Sequence, residues 1–151
     1  MATSKRNKSG ANRVHAQRMF EQADFIRHLG MKLVKVGRGR CETVLRPKRE
    51  HRQQHGFVHA AVVTAMADHT GGCAAGTTVG PGLDVITVEF KISFLRPAAG
   101  RELRCRGEVL RAGKSLIFAE AGVFARDGRE EKMVAKAMMT LTIIPDTLGG
   151  K

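Results

Sequence analysis

The sequence predicts an α+β domain in which a curled antiparallel β-sheet wraps around one central α-helix. Three observations predict it. First, residues 55–76 read HGFVHAAVVTAMADHTGGCAAG, and from Ala60 to Ala67 the only polar side chain is Thr64. A helix that is apolar on nearly all sides must be enclosed by other elements. Second, beyond Pro81–Gly82 the hydrophobic period changes to two, the period of strands with one buried face. Third, Ala112–Gly113–Lys114 and Asp127–Gly128 punctuate that region as hairpin turns, so successive strands run antiparallel. A sheet with one apolar face needs a cover, and the long apolar helix supplies it.

The elements follow in chain order. Residues 1–17 open with MATSKRNKSGANR, which is basic and polar and has no periodicity. They are expected to be a disordered tail, with Lys5, Arg6 and Lys8 open to an anionic partner. The folded domain is expected over 18–145. Met19, Phe20, Ala23, Ile26 and Leu29 recur at helical spacing, which predicts a short amphipathic helix from Arg18 to Leu29 closed by Gly30. Two short strands, 32–36 and 40–45, flank a Gly37–Arg38–Gly39 turn, and Pro47 ends the second. The charged loop 48–54 delivers the chain to the central helix. Val62, Val63, Thr64, Gly71 and Gly72 all disfavour an isolated helix there, so packing must hold it. In the next strand Ile86, Val88, Phe90, Ile92 and Phe94 point one way and Thr87, Glu89, Lys91 and Ser93 the other, up to Pro97. Further strands are expected over 102–110, 115–124 and 132–144, with Pro145 as the stop and 146–151 as a frayed tail.

Composition limits the functions on offer. A chain of 151 residues makes one domain with a full core. Net charge is +12, so polyanions are plausible partners: nucleic acid, a membrane surface or a phosphorylated small molecule. There is no Trp or Tyr, which removes most of the stacking platforms that single-stranded nucleic acid needs. The three cysteines, Cys41, Cys73 and Cys105, have no CxxC spacing and read as buried thiols in a reducing compartment. No apolar run reaches membrane-spanning length and no signal region follows the basic start, so a cytoplasmic protein is expected, without a membrane partner.

Against this background the central stretch resembles the signature of hot-dog acyl-CoA thioesterases of the phenylacetate-pathway (PaaI-like) type. That signature has an Asn ahead of a Gly, a His-Gly-Gly opening the helix, and an Ala-Asp whose Asp stands nine residues after the His. This chain has Gln53, Gly56, His59–Ala60–Ala61 and Ala67–Asp68. Downstream, VITVEFKISFLRPA (85–98) is similar to the family's long strand ending in Arg-Pro-Ala. The likeness spans roughly residues 20–145. It implies the hot-dog fold and hydrolysis of a coenzyme A thioester to free acid and coenzyme A, with no cofactor beyond the coenzyme carried by the substrate. It also implies a homodimer, assembled as a dimer of dimers. The family's first glycine offers its backbone N–H to the thioester carbonyl; Ala60 keeps that N–H and adds a methyl. Ala61 replaces the second glycine, and Gln53 carries its amide one methylene further out than Asn.

The candidate residues can also be read chemically. Thioester hydrolysis needs a donor for the developing oxyanion and a group that activates water or attacks directly. The helix N-terminus offers free N–H groups. Asp68 is the only carboxylate between Glu50 and Asp84. In an apolar helix it is costly unless paired or used, which makes it a candidate general base or nucleophile. The resemblance assigns the Ala60 N–H as oxyanion donor, Gln53 as water or carbonyl positioner, and Thr87 as the hydroxyl that assists the carboxylate. Gly56, His59 and Ala61 belong to the substrate-binding turn, and Lys91 and Arg96 lie on the strand suited to the coenzyme's phosphates. A non-catalytic acyl-CoA binder and a basic nucleic-acid binder are the alternatives. No HExxH pattern or paired carboxylate accompanies His51, His55, His59 and His69, so no metal site is expected; His59 is expected to fix the helix entry and His69 to pack. Ala60 and Asp68 are eight residues apart, roughly 12 Å of helical rise and about 80° of rotation. A carbonyl held at one end is beyond reach of the same chain's carboxylate, so two subunits are expected to share each site.

Overall fold

The computed structural model describes residues 3–147; residues 1–2 and 148–151, the outer ends of the two expected tails, lie outside it. Six strands form one antiparallel sheet in the order β1-β2-β4-β5-β6-β3. They are β1 (Lys32–Gly37), β2 (Arg40–Leu45), β3 (Leu83–Phe94), β4 (Glu102–Ala112), β5 (Leu116–Asp127) and β6 (Glu130–Pro145). The sheet wraps α3 (Ala60–Gly76), which packs against β2, β3, β4, β5 and β6. This is the hot-dog architecture expected from the sequence. Leu45, Met66, Leu103, Ile117 and Leu141 are fully buried between helix and sheet. Each such side chain contributes about 2 kcal/mol of transfer free energy.

Small residues set how close α3 lies. A Cβ on Gly107 of β4 would stand 2.7 Å from the Thr70 carbonyl oxygen of the helix. Beside it the buried hydroxyls of Thr43 and Thr70 meet at 2.7 Å and satisfy each other.

The N-terminal segment departs from expectation. Residues 3–17, expected in a disordered tail, belong to helix α1 (Thr3–Gln22). Tertiary contacts hold the last turns of this helix. Ala16 and Phe20 are buried, Arg18 reaches Asp146 at 2.8 Å, and His15 faces Asp84 at 3.5 Å. A Cβ on Gly76 would touch His15 and Met19, so α1 presses on bare backbone of α3. Asp146, expected in the frayed C-terminal tail, is thereby an anchor. The predicted Arg18–Leu29 helix is split at Ala23 (φ −87°, ψ 89°), and α2 (Asp24–Leu29) ends on left-handed Gly30 as expected.

Strand β3 departs as well. Its register with β6 shifts between Thr87 and Glu89, leaving Val88 as the extra residue of a bulge. Ile86 and Val88 are therefore exposed (53% and 58%), whereas Phe90 and Ile92 pack on the core. The predicted single apolar face from Ile86 to Phe94 is broken because a bulge reverses the alternation. Thr87, predicted on the polar face, points at α3.

Candidate active site

The site is built around the start of α3. No Ser, Thr, Asp or Asn precedes the helix, and His59 caps it instead. Its Nδ1 accepts the Ala61 N–H at 3.0 Å, and its carbonyl accepts Val62 at 3.0 Å and Val63 at 3.3 Å. Among the described residues, Ala60 is the one first-turn residue whose N–H has no acceptor. That group is a free donor at the positive end of the helix dipole.

The loop before α3 is tightly fixed. The turn Arg49–His51 buries His51, whose Nδ1 accepts the Lys48 N–H at 3.1 Å and whose carbonyl accepts the His59 N–H at 2.8 Å. Burial holds the His51 imidazole below its ordinary pKa, which suits its acceptor role. Gly56 (φ 84°) turns the chain in the left-handed region and donates to the Gln53 carbonyl at 2.9 Å. The Gln53 side-chain oxygen accepts from the His55 N–H. Its amide nitrogen is thus the end left to donate to a ligand.

These residues frame a cavity of about 510 Å³. Gln53, His59, Ala60, Phe94 and Arg96 line it, with Val63 and Val134 among its apolar residues. Arg96 is steadied by the Met133 carbonyl at 2.8 Å. Asp68 is two turns further along α3, and its Oδ1 accepts the Thr87 hydroxyl at 2.8 Å. Neither Asp68 nor Thr87 lines the cavity that contains Ala60.

The structure thus gathers the expected site residues into two groups, Gln53, His59, Ala60 and Arg96 in the cavity and Asp68 with Thr87 apart from it. Gly56 shapes the turn between Gln53 and Phe57 and does not itself line the cavity. Ala61 is exposed with its N–H used by the cap. Lys91 stands opposite Met138 on the side of β3 turned away from the core, outside the cavity. Sequence reasoning missed His51 as the pin of the loop and Phe57 as part of the wall; the only signal for either was its nearness to Gln53 and His59.

Other chemistries find little support in the side chains. Cys41, Cys73 and Cys105 are buried and free. Hydrogen bonding to Cys73, together with burial, pushes the Cys41 thiol well up, and burial pushes Cys105 up to about 12. Thiols held neutral in this way are poor nucleophiles. Among the described residues no three of His, Cys, Asp and Glu gather where they could hold a metal ion. His69 packs edge-on against Phe20 with ring centroids 4.5 Å apart, and burial lowers its pKa to about 4. Among the described residues no helix is long and apolar enough to cross a membrane.

Comparison with known proteins agrees with this geometry. The sequence profile of the thioesterase superfamily matches residues 55–132, from the turn before α3 into β6. A protein of Saccharolobus solfataricus that carries the provisional name of an esterase is 33% identical over 123 residues, 81% of this chain and 85% of its own. The crystal structure of a thioesterase family protein from Silicibacter pomeroyi superposes with a TM-score of 0.83 at 33% identity, covering 87% of this chain and 99% of that one. The PaaI protein of the Escherichia coli phenylacetic acid degradation operon gives the same TM-score at 21% identity, covering 92% and 97%, a likeness of fold. The wrapped helix, the turn that opens it and the agreement over most of both chains place this protein in the thioesterase superfamily.

Proposed function

We propose that this protein hydrolyses acyl-CoA thioesters at a site shared by two copies of the chain. The observation that carries the proposal is the hydrogen bond from Thr87 to Asp68 on an otherwise apolar helix. It fixes one carboxylate oxygen and leaves the other to act on water. The free Ala60 N–H, in the same cavity as the Gln53 amide, is suited to a developing oxyanion. Water then loses a proton to Asp68 as its oxygen bonds to the thioester carbonyl carbon. The carbon–sulfur bond breaks next, and the departing thiolate takes that proton.

One chain does not bring these groups together. Ala60 and Asp68 lie about 12 Å apart along α3, and only Ala60 lines the cavity. β3, which carries Thr87, is an edge strand with exposed Ile86, Val88 and Phe94. A free apolar edge of this length favours pairing with another copy. A two-fold axis beside β3 would set Asp68 of each chain against the other's cavity. The strongly positive chain suits a phosphorylated substrate. A nucleic-acid role draws less support, because Arg40, Arg104, Arg106 and Lys136 on the outer sheet face are each paired with a glutamate.

The test is a panel of short, medium, long and aryl acyl-CoAs assayed for thiol release. Turnover of at least one, saturable in substrate and lost in Asp68→Asn, is expected. Tight binding without turnover would instead indicate a non-catalytic acyl-CoA binder.

A further inference from the structure

We infer that Thr64 is a positioning residue of this site, holding the water that Asp68 activates. The inference rests on the thioester reading above and adds to it a residue that neither motif nor cavity identifies. Most of α3 is buried; besides Ala60 at its start and His69, the residues that keep access to solvent are Ala61, Thr64, Ala65 and Asp68. At 100° per residue these four fall within about 100° of arc, and Thr64 is one turn before Asp68, with Cβ atoms about 6 Å apart. A single water can bridge two side chains so placed.

The hydroxyl of Thr64 is also unlike its neighbours. A helical threonine ordinarily returns its hydroxyl to a carbonyl one turn back or gives it to a packing partner. Thr70 pairs with Thr43 at 2.7 Å, and Thr77 and Thr78 donate to the carbonyls of Ala74 and Ala75 at 2.7 Å. Among the described threonines of α3 and its exit, Thr64 is the one whose hydroxyl has no protein partner. It sits on the strip that carries Asp68.

A water attacking a thioester carbonyl needs three directions fixed. One O–H points at the base, one lone pair points at the carbonyl carbon, and the second O–H needs an acceptor. Asp68 has Oδ1 occupied by Thr87, so Oδ2 is the base. Thr64 Oγ1 is the acceptor for the second O–H. The water's first O–H bond breaks with its proton passing to Oδ2, and its oxygen bonds to carbon. Thr64 neither gains nor loses a proton, so its effect falls on the chemical step and not on substrate binding.

The experiment compares Thr64→Val, which keeps the shape and removes the hydroxyl, with Thr64→Ser and Thr64→Ala, using the best acyl-CoA of the panel. Val and Ala are expected to lower kcat by about tenfold or more, with KM within about twofold, and Ser to restore kcat to within about threefold. Melting temperatures close to that of the parent separate this effect from misfolding. Wild-type kcat in the Val or Ala variant overturns the inference while leaving the thioester reading intact. So does a change confined to KM or acyl preference, which would make Thr64 a wall of the acyl site, or a Ser variant as slow as Val. A parent protein inactive on every thioester of the panel overturns both.

Discussion

Thr87 of β3 donates its hydroxyl to Asp68 Oδ1 of α3 at 2.8 Å, joining the edge strand to the central helix through the one carboxylate that the helix carries. Removing that hydroxyl in Thr87→Val should lower kcat by about tenfold to a hundredfold with little change in stability, because the carboxylate is half-buried and remains solvated. Asp68→Asn should reduce turnover to background while leaving coenzyme A binding and the melting temperature near those of the parent. Steady-state kinetics with a thermal melt of each variant checks both expectations. Substantial hydrolysis by Asp68→Asn would remove Asp68 from the chemistry.

The methyl of Ala60 lies at the cavity wall where the resembling family has glycine. Ala60→Gly should shift acyl preference toward bulkier groups, by about threefold to tenfold in relative kcat/KM, since one methyl in an apolar pocket is worth about 1 kcal/mol. The ratio of aryl to short-chain turnover measures it. An unchanged profile would mean that the methyl does not meet the acyl group.

His69 predicts a pH dependence of stability. Burial lowers its pKa to about 4 from an ordinary 6.5. Between these values the unfolded chain binds a proton that the folded chain refuses, so stability falls as pH drops from about 6.5 to about 4 and levels off below that. The full effect is about 3 kcal/mol. His69→Leu should flatten this part of the curve, visible as a smaller gap between denaturant midpoints at about pH 7 and about pH 4.5. Equal gaps in parent and variant would contradict the burial account.

Much of this architecture is legible in the sequence because it is written in local pattern. Residues 60–76 carry only four polar side chains, Thr64, Asp68, His69 and Thr70, too few for a solvated face, so the enclosed helix follows directly. The hairpin turns and the period of two order most of the sheet. Thr87 is harder to place. Alternation counted from Phe90 and Ile92 puts it outside, and only the bulge at Val88, set by pairing with β6, turns it toward Asp68. Helix α1 is harder still. Its first residues are basic and aperiodic, and what holds it are Asp84, Asp146 and the bare Gly76, all more than 50 positions away. Among the site residues, Asp68, Ala60 and Gln53 stand out by motif. That the Gln53 oxygen is used by its own loop and its nitrogen left free is a property of the folded turn.

Gly107 predicts a purely structural effect. Its added Cβ in Gly107→Ala would lie 2.7 Å from the Thr70 carbonyl oxygen and 3.1 Å from the Gly71 Cα, both helix backbone. α3 must lift from β4, with a loss of about 2 kcal/mol or more in denaturant titration. A stability within a few tenths of the parent would show that the helix can shift freely, about as cheaply as in volume-conserving swaps.

The shared site is tested most directly by subunit complementation. Asp68→Ala and Gln53→Ala variants, each inactive alone, are mixed under conditions where exchange of subunits is shown independently. In a mixed dimer one site carries both lesions and the other carries Gln53 from the first chain and Asp68 from the second. Activity should return to about a quarter of wild type at random exchange, since half the dimers are mixed and each has one intact site of two. Proven exchange with no return of activity would contradict a site built from two chains.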